Sequence, residues 1–155
     1  MEPAGAAGRD EAMMRLALEE ARRAEDWGDV PIGAVIARGD EVLARAGNAR
    51  EREQDPTAHA ELLAVREAAS ALGSWRLEGC SIYVTLEPCA MCAGALVLAR
   101  IERLVYATAD PKAGFAGSLG DLVRDPRLNH ALIVETGVLQ AESAEVLRAF
   151  FRDRR

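Results

Sequence analysis

The chain has 155 residues, the length of one domain, and carries 19 Lys+Arg against 25 Asp+Glu, a formal net charge of −6. Half of it is hydrophobic and 28% is charged, an ordinary globular balance that excludes intrinsic disorder, collagen-like repeats and a coiled coil. The acidic balance argues against a protein that grips nucleic acid through overall charge, although it leaves room for a local basic face.

Residues 1–9 are small and Gly/Ala-rich and are expected to form a flexible tail ahead of a single domain over 10–155. From Asp10, a candidate N-cap, to about Gly28 the apolar positions Met13, Leu16, Ala17, Ala21 and Ala24 recur at helical spacing. Val30–Ala37 and Val42–Ala46 read as strands joined in a hairpin by Arg38-Gly39-Asp40-Glu41. Asn48–Asp55 is charged and aperiodic, a loop. A second helix is expected near Pro56, with Asp55 as its cap and Gly73 as its stop. Ser81–Leu86 is β-branched and aromatic, Pro88–Arg100 is helical, and Arg103–Ala107 is a strand again, the spacing of a parallel βαβ crossover. A Gly-rich loop over Asp110–Gly120, a strand at Ala131–Glu135 and a helix over Gln140–Phe151 complete the order. Such an order makes a three-layer α/β/α domain on one mixed, five-stranded sheet.

The cysteines, Cys80, Cys89 and Cys92, form an odd set rather than a disulfide framework. The first residues lack the features of a signal peptide, and no run approaches the roughly 18 apolar residues that span a bilayer. A cytoplasmic location without membrane attachment follows as the expectation. Cys80, just ahead of a buried strand, reads as an inert core thiol.

Two short segments carry chemistry: Thr57-Ala58-His59-Ala60-Glu61 and Glu87-Pro88-Cys89-Ala90-Met91-Cys92. One imidazole and two thiols are ligands of the kind zinc prefers, and a set of three leaves a fourth position open to water. Cys89 and Cys92 project from one side of a helix's first turn, where the dipole favours thiolates. His59 and Glu61 converge on one site only if it lies off a helix end, since two steps of about 100° part them on a mid-helix. Glu61 is then placed to take a proton from water activated by the metal, first as base and then as acid. The plainer alternative, a redox C-x-x-C or two inert thiols, leaves His59 and Glu61 without a purpose.

These residues spell H-x-E…P-C-x-x-C, the zinc deaminase signature. Over residues 10–153 the chain resembles the bacterial tRNA-specific adenosine deaminases of the cytidine/deoxycytidylate deaminase superfamily. The matching pieces are VPIGAV (Val30–Val35), Gly47–Asn48, DPTAHAE (Asp55–Glu61), YVTLEPCAMCAGA (Tyr83–Ala95), DPKAGFAGSLGDL (Asp110–Leu122), Asn129–His130 and the terminal FFRDRR. The resemblance implies a cytidine-deaminase-like fold and conversion of the wobble adenosine of a tRNA anticodon, in tRNA-Arg, to inosine. Water would attack C6 of the flipped base and ammonia would leave. It assigns one zinc ion per chain to His59, Cys89 and Cys92 and proton transfer to Glu61. It gives Asn48 a hydrogen bond to the base, has Val30, Pro31 and Leu86 line the pocket, and sets Asp110 and Lys112 against flanking nucleotides. Phe115 stands where the family often has a small residue. His130 is open between an RNA contact and an ordinary loop histidine.

The basic C-terminus, Arg148, Arg152, Arg154 and Arg155 with Phe150 and Phe151, reads as a surface for phosphate attraction and stacking, with Phe150 and Arg152 the expected contacts and at least one phenylalanine anchored inside. The helix beginning at Cys89 is uncharged all round, so its outer side needs a cover. A neighbouring helix or a symmetric partner could supply it, and Ala90, Ala93, Gly94 and Ala95 permit close approach. The resemblance implies a homodimer, with tRNA and not DNA as the natural partner. A free guanine or cytosine deaminase is the nearest rival, and a zinc-stabilised RNA-binding protein without catalysis the more distant one.

Overall fold

The computed structural model describes residues 5–154. Five strands, β1 (Gly33–Arg38), β2 (Glu41–Gly47), β3 (Ser81–Leu86), β4 (Arg103–Thr108) and β5 (Ile133–Thr136), form one sheet in the order β2-β1-β3-β4-β5. β1 runs antiparallel to both neighbours, whereas β3, β4 and β5 are parallel, so the sheet is mixed as the sequence requires. Side chains alternate across it: Ile36, Ile82, Val84 and Leu104 face α3 (Ala60–Leu72) and α4 (Ala90–Leu98), while Val35, Tyr83 and Val105 face α1 (Ala6–Asp26). The last helix, α5 (Gln140–Asp153), packs beside α1. The result is the expected three-layer α/β/α arrangement.

α1 lies very close to the hairpin. Gly33 and Gly47 pair across β1 and β2, and a Cβ on either would stand 1.9 Å from the Ala17 carbonyl oxygen or 2.5 Å from that of Glu20. Only glycine permits this approach. Gly39, at φ +62°, makes the tight turn between the paired ends Arg38 and Glu41.

Several boundaries differ from expectation. α1 begins at Ala6, so residues 6–9 of the expected tail are helical, and 1–4 lie outside the described residues. Asp10 is not a cap: it is buried and accepts both guanidinium nitrogens of Arg103, which also pairs with Glu135 at 2.6 Å. A one-turn helix, α2 (Arg50–Glu53), interrupts the expected loop. α3 starts at Ala60 rather than Pro56, because the Asp55 carboxylate is occupied by the Thr57 amide and hydroxyl in a local turn. The expected stop at Gly73 (φ +65°) is where the helix ends.

This topology brings distant segments to one edge of the sheet. Because β1 is antiparallel to β2 and β3, the approach to β1 (30–32) lies beside the exits of β2 (48) and β3 (86–89). The exit of the parallel strand β4 (109–110) lies next to them. Sites in open α/β sheets form at such carboxyl ends.

Candidate metal centre and its pocket

His59 and Cys89 are the N-cap residues of α3 and α4, and neither side chain caps its own helix. Both are therefore free to point off the helix ends, toward each other. The His59 Nδ1 lies 3.6 Å from the Cys89 Sγ and 3.5 Å from the Cys92 Sγ, and all three ligand atoms lie within 4.8 Å of one another. A nitrogen and a sulfur bound tetrahedrally to one zinc ion, at about 2.0 and 2.3 Å, stand about 3.5 Å apart. The cluster fits that ion, and it is the one such group among the described residues.

Charge within the cluster is divided unequally. Cys89 is pulled down to about 3, first by the hydrogen bond from the Cys92 thiol and then by His59, and so is held as thiolate. Cys92 is raised because it keeps the proton that Cys89 attracts. His59 is raised chiefly by its bond to Cys89. A bound divalent cation displaces protons from such ligands. Glu61, in the first turn of α3, is only 4% exposed, and burial foremost pushes its carboxyl up to about 7.

A cavity of about 120 Å³ opens on this group, and its walls come from the converging segments. Val30, Asn48 and Leu86 line it, and so does Asp110, which the sequence set against flanking nucleotides. Pro31 does not: it is buried, and Ile32 takes the lining position, because alternate residues of an extended segment face opposite ways. Asn48, 2% exposed, accepts a hydrogen bond from the Ala60 amide at 3.2 Å through Oδ1, which satisfies one orphan donor of α3. That bond fixes the amide's orientation and leaves Nδ2 as its donor.

Sequence reasoning missed Arg50, Ala113 and Glu87, which also line the cavity. Arg50 stands at the start of α2, whose Glu51 and Arg52 amides donate to the buried carboxylate of Asp29 at 3.0 and 3.3 Å. No periodicity marks that pairing. Glu87 lies inside the recognised motif, but its partners are all far along the chain.

Beyond the cavity a groove of about 630 Å³ runs outward past Lys112, Arg148 and Phe151, and Arg152 flanks it. The two phenylalanines divide. Phe150 is 5% exposed with the Arg154 guanidinium 3.8 Å above its ring, whereas Phe151 is 53% exposed and lines the groove. The aromatic available to a ligand is thus Phe151 and not Phe150, since neighbours on a helix point about 100° apart and only one can face the core. Arg155 lies outside the described residues.

Cys80 is fully buried and free. His130 donates from Nε2 to the Ile101 carbonyl at 2.7 Å, a tie between two loops. On α4, Cys92, Ala93, Leu96 and Val97 are buried, so Ala93 belongs to the inner face, while Met91 and Leu98 (71% exposed) form an apolar outer side. Among the described residues no helix is long and apolar enough to cross a membrane.

A cytidine-deaminase-like fold with this cluster at its strand ends defines a deaminase, and residues 9–155 match the MafB19-like deaminase family. The tRNA-specific adenosine deaminase of Bacillus subtilis (strain 168) is 53% identical over 146 residues, 94% of this chain and 91% of that one. That of Agrobacterium fabrum (strain C58) is 49% identical over 142 residues, 92% of this chain and 93% of that one. A structure solved in work on A-to-I editing by tRNA:A34 deaminases at the wobble position superposes with a TM-score of 0.85 at 48% identity, covering 88% of this chain and 99% of that one. A Bacillus subtilis guanine deaminase structure is 37% identical with a TM-score of 0.64, covering 70% of this chain and 69% of that one. The chain belongs to the tRNA-specific adenosine deaminase family.

Proposed function

We propose that this protein hydrolyses adenosine to inosine at the wobble position of a tRNA anticodon, that of tRNA-Arg, with one zinc ion per chain. The observation that carries this reading is a buried carboxylate, Glu61, beside His59, Cys89 and Cys92 at the end of a narrow cavity. Water adds to C6 of the base, the C6–N6 bond breaks and ammonia leaves. Zinc, when bound by these three side chains, supplies Lewis acidity that brings the pKa of water toward 7. Glu61 accepts a proton from the attacking water and returns it to the departing amino nitrogen, a role worth about 10²–10⁴-fold in rate. Asn48 Nδ2 donates to the base, while Val30 and Leu86 press on its faces and keep bulk water out. Asp110, Lys112 and Arg152 meet the flanking nucleotides, and Phe151 offers a stacking surface in the place expected of Phe150.

The reading extends to a homodimer. Met91 and Leu98 leave α4 with an apolar outer side that a second copy would cover, as the small residues nearby allow. It also takes 10–155 as one catalytic domain that acts in the cytoplasm, where tRNA is found.

The test offers anticodon stem-loop RNA with a wobble adenosine beside free guanine, cytosine and adenosine. Inosine is expected in the RNA and little product from the free compounds. Deamination of guanine alone would favour the reading suggested by the guanine deaminase likeness and overturn this one. The basic, open groove beyond the cavity suits a polymer better than a free base.

A further inference from the structure

Glu87 follows β3 directly and is 2% exposed, yet it is not part of the metal cluster. Its Oε1 accepts the Asp110 amide at 3.0 Å and the Ser118 hydroxyl at 2.5 Å, and its Oε2 accepts the Ala116 and Ser118 amides, each at 3.0 Å. All of these donors belong to the segment 110–118, which has no regular secondary structure.

The same segment is stitched to the metal site. The Phe115 amide donates to the Pro88 carbonyl at 2.8 Å, and Gly114 bridges to Cys89. Gly114 lies so close over the carboxylate that an added Cβ would stand 2.3–2.5 Å from its atoms. Asp110 and Ala113 on the cavity wall, and Lys112 in the groove, all project from this one stretch.

We infer that Glu87 is a positioning residue: its buried carboxylate fixes the shape of segment 110–118 and locks it to the Cys89 end of the metal site, so that Asp110 and Lys112 are registered against the nucleotides flanking the target. The substrate half of this inference rests on the function proposed above. The role needs an acceptor at every position around the group. Glutamine keeps the size of the side chain but turns one acceptor into a donor, which leaves the Asp110 amide unpaired if the NH2 takes the Oε1 position and the Ala116 and Ser118 amides unpaired if it takes the Oε2 position.

Glu87→Gln is expected to keep about one zinc per chain and to leave kcat within about threefold of wild type. Amide hydrogen exchange at Asp110, or at Ala116 and Ser118, should accelerate at least tenfold, and KM for the stem-loop RNA should rise about tenfold. Lys112→Ala should raise KM several-fold in wild type and by less than twofold in the Glu87→Gln background, because the lysine is already misplaced there. Gly114→Ala, which crowds the carboxylate without removing it, should give the same pattern, and so provides the readout if Glu87→Gln does not fold. Unchanged exchange at all three amides, or an equal Lys112→Ala effect in both backgrounds, overturns the inference. A wild-type chain inert toward RNA overturns the proposed function and the substrate half of the inference together, while the exchange rates still decide the anchoring half without any substrate.

Discussion

The metal cluster stands on the ends of regular elements, whereas the outer groove is lined by an irregular segment and the last helix. His59 and Cys89 are each the residue before a helix, so two helix N-termini aim at one point and their dipoles favour the thiolates there. Each helix packs on the sheet, which leaves the ligands little freedom. The groove has no such scaffold. Its Asp110 and Lys112 depend on one buried carboxylate, and its Arg148 and Phe151 on how α5 is rotated against the core. The proposed chemistry thus rides on packed secondary structure and the proposed recognition surface on a few long-range hydrogen bonds, so the two should fail separately.

The sharpest way to break that division is to remove a ligand. Cys92→Ala should lower bound zinc from about one ion per chain to nearly none, read by elemental analysis. Turnover on stem-loop RNA should fall at least about a thousandfold, because several kcal/mol of electrostatic stabilisation leaves with the ion. Binding of the same RNA, measured by fluorescence anisotropy, should change by no more than about threefold. If affinity collapses along with the metal, centre and rim are one unit and the comparison fails.

The division also marks what could be read in the sequence. The His59, Cys89 and Cys92 group could be singled out because H-x-E and C-x-x-C each lie within one turn of chain, and all five strands were legible from β-branched runs bounded by turn residues. The rest depends on partners far apart in the chain. Asp10 looked like a cap but pairs with Arg103, 93 residues away. Arg50 reaches the cavity wall because Asp29, more than 20 residues earlier, pins α2. Glu87 meets donors 23 to 31 residues downstream. The start of α3 moved to Ala60 because Asp55 spends its carboxylate on Thr57 and Asn48 caps the helix from outside. Local periodicity carries none of these.

A smaller effect sharpens the view of α5. Phe150→Ala should cost about 3–5 kcal/mol of stability, since a buried ring leaves a cavity. For a chain of this size that is a fall in Tm on the order of 10 °C by calorimetry. Phe151→Ala should move stability by less than about 0.5 kcal/mol and instead weaken RNA binding by about 1–3 kcal/mol, the loss of one stacking surface. The reverse pattern would mean that α5 sits about 100° from the rotation described here.

The smallest predicted effect concerns charge at the rim. Lys112 lines the groove, and under the proposed function its contribution is attraction to phosphate. Each phosphate neutralised on single-stranded nucleic acid adds about −0.7 to the slope of log affinity against log salt. Lys112→Ala should therefore make that slope shallower by about 0.7 while leaving kcat within about twofold. Arg15→Ala, on α1 and paired with Glu11 at 2.8 Å, should leave the slope alone, although it removes the same charge from the protein. Equal slopes for both variants would mean that RNA responds to the net charge of the chain, and a protein at −6 has no net positive charge with which to attract it.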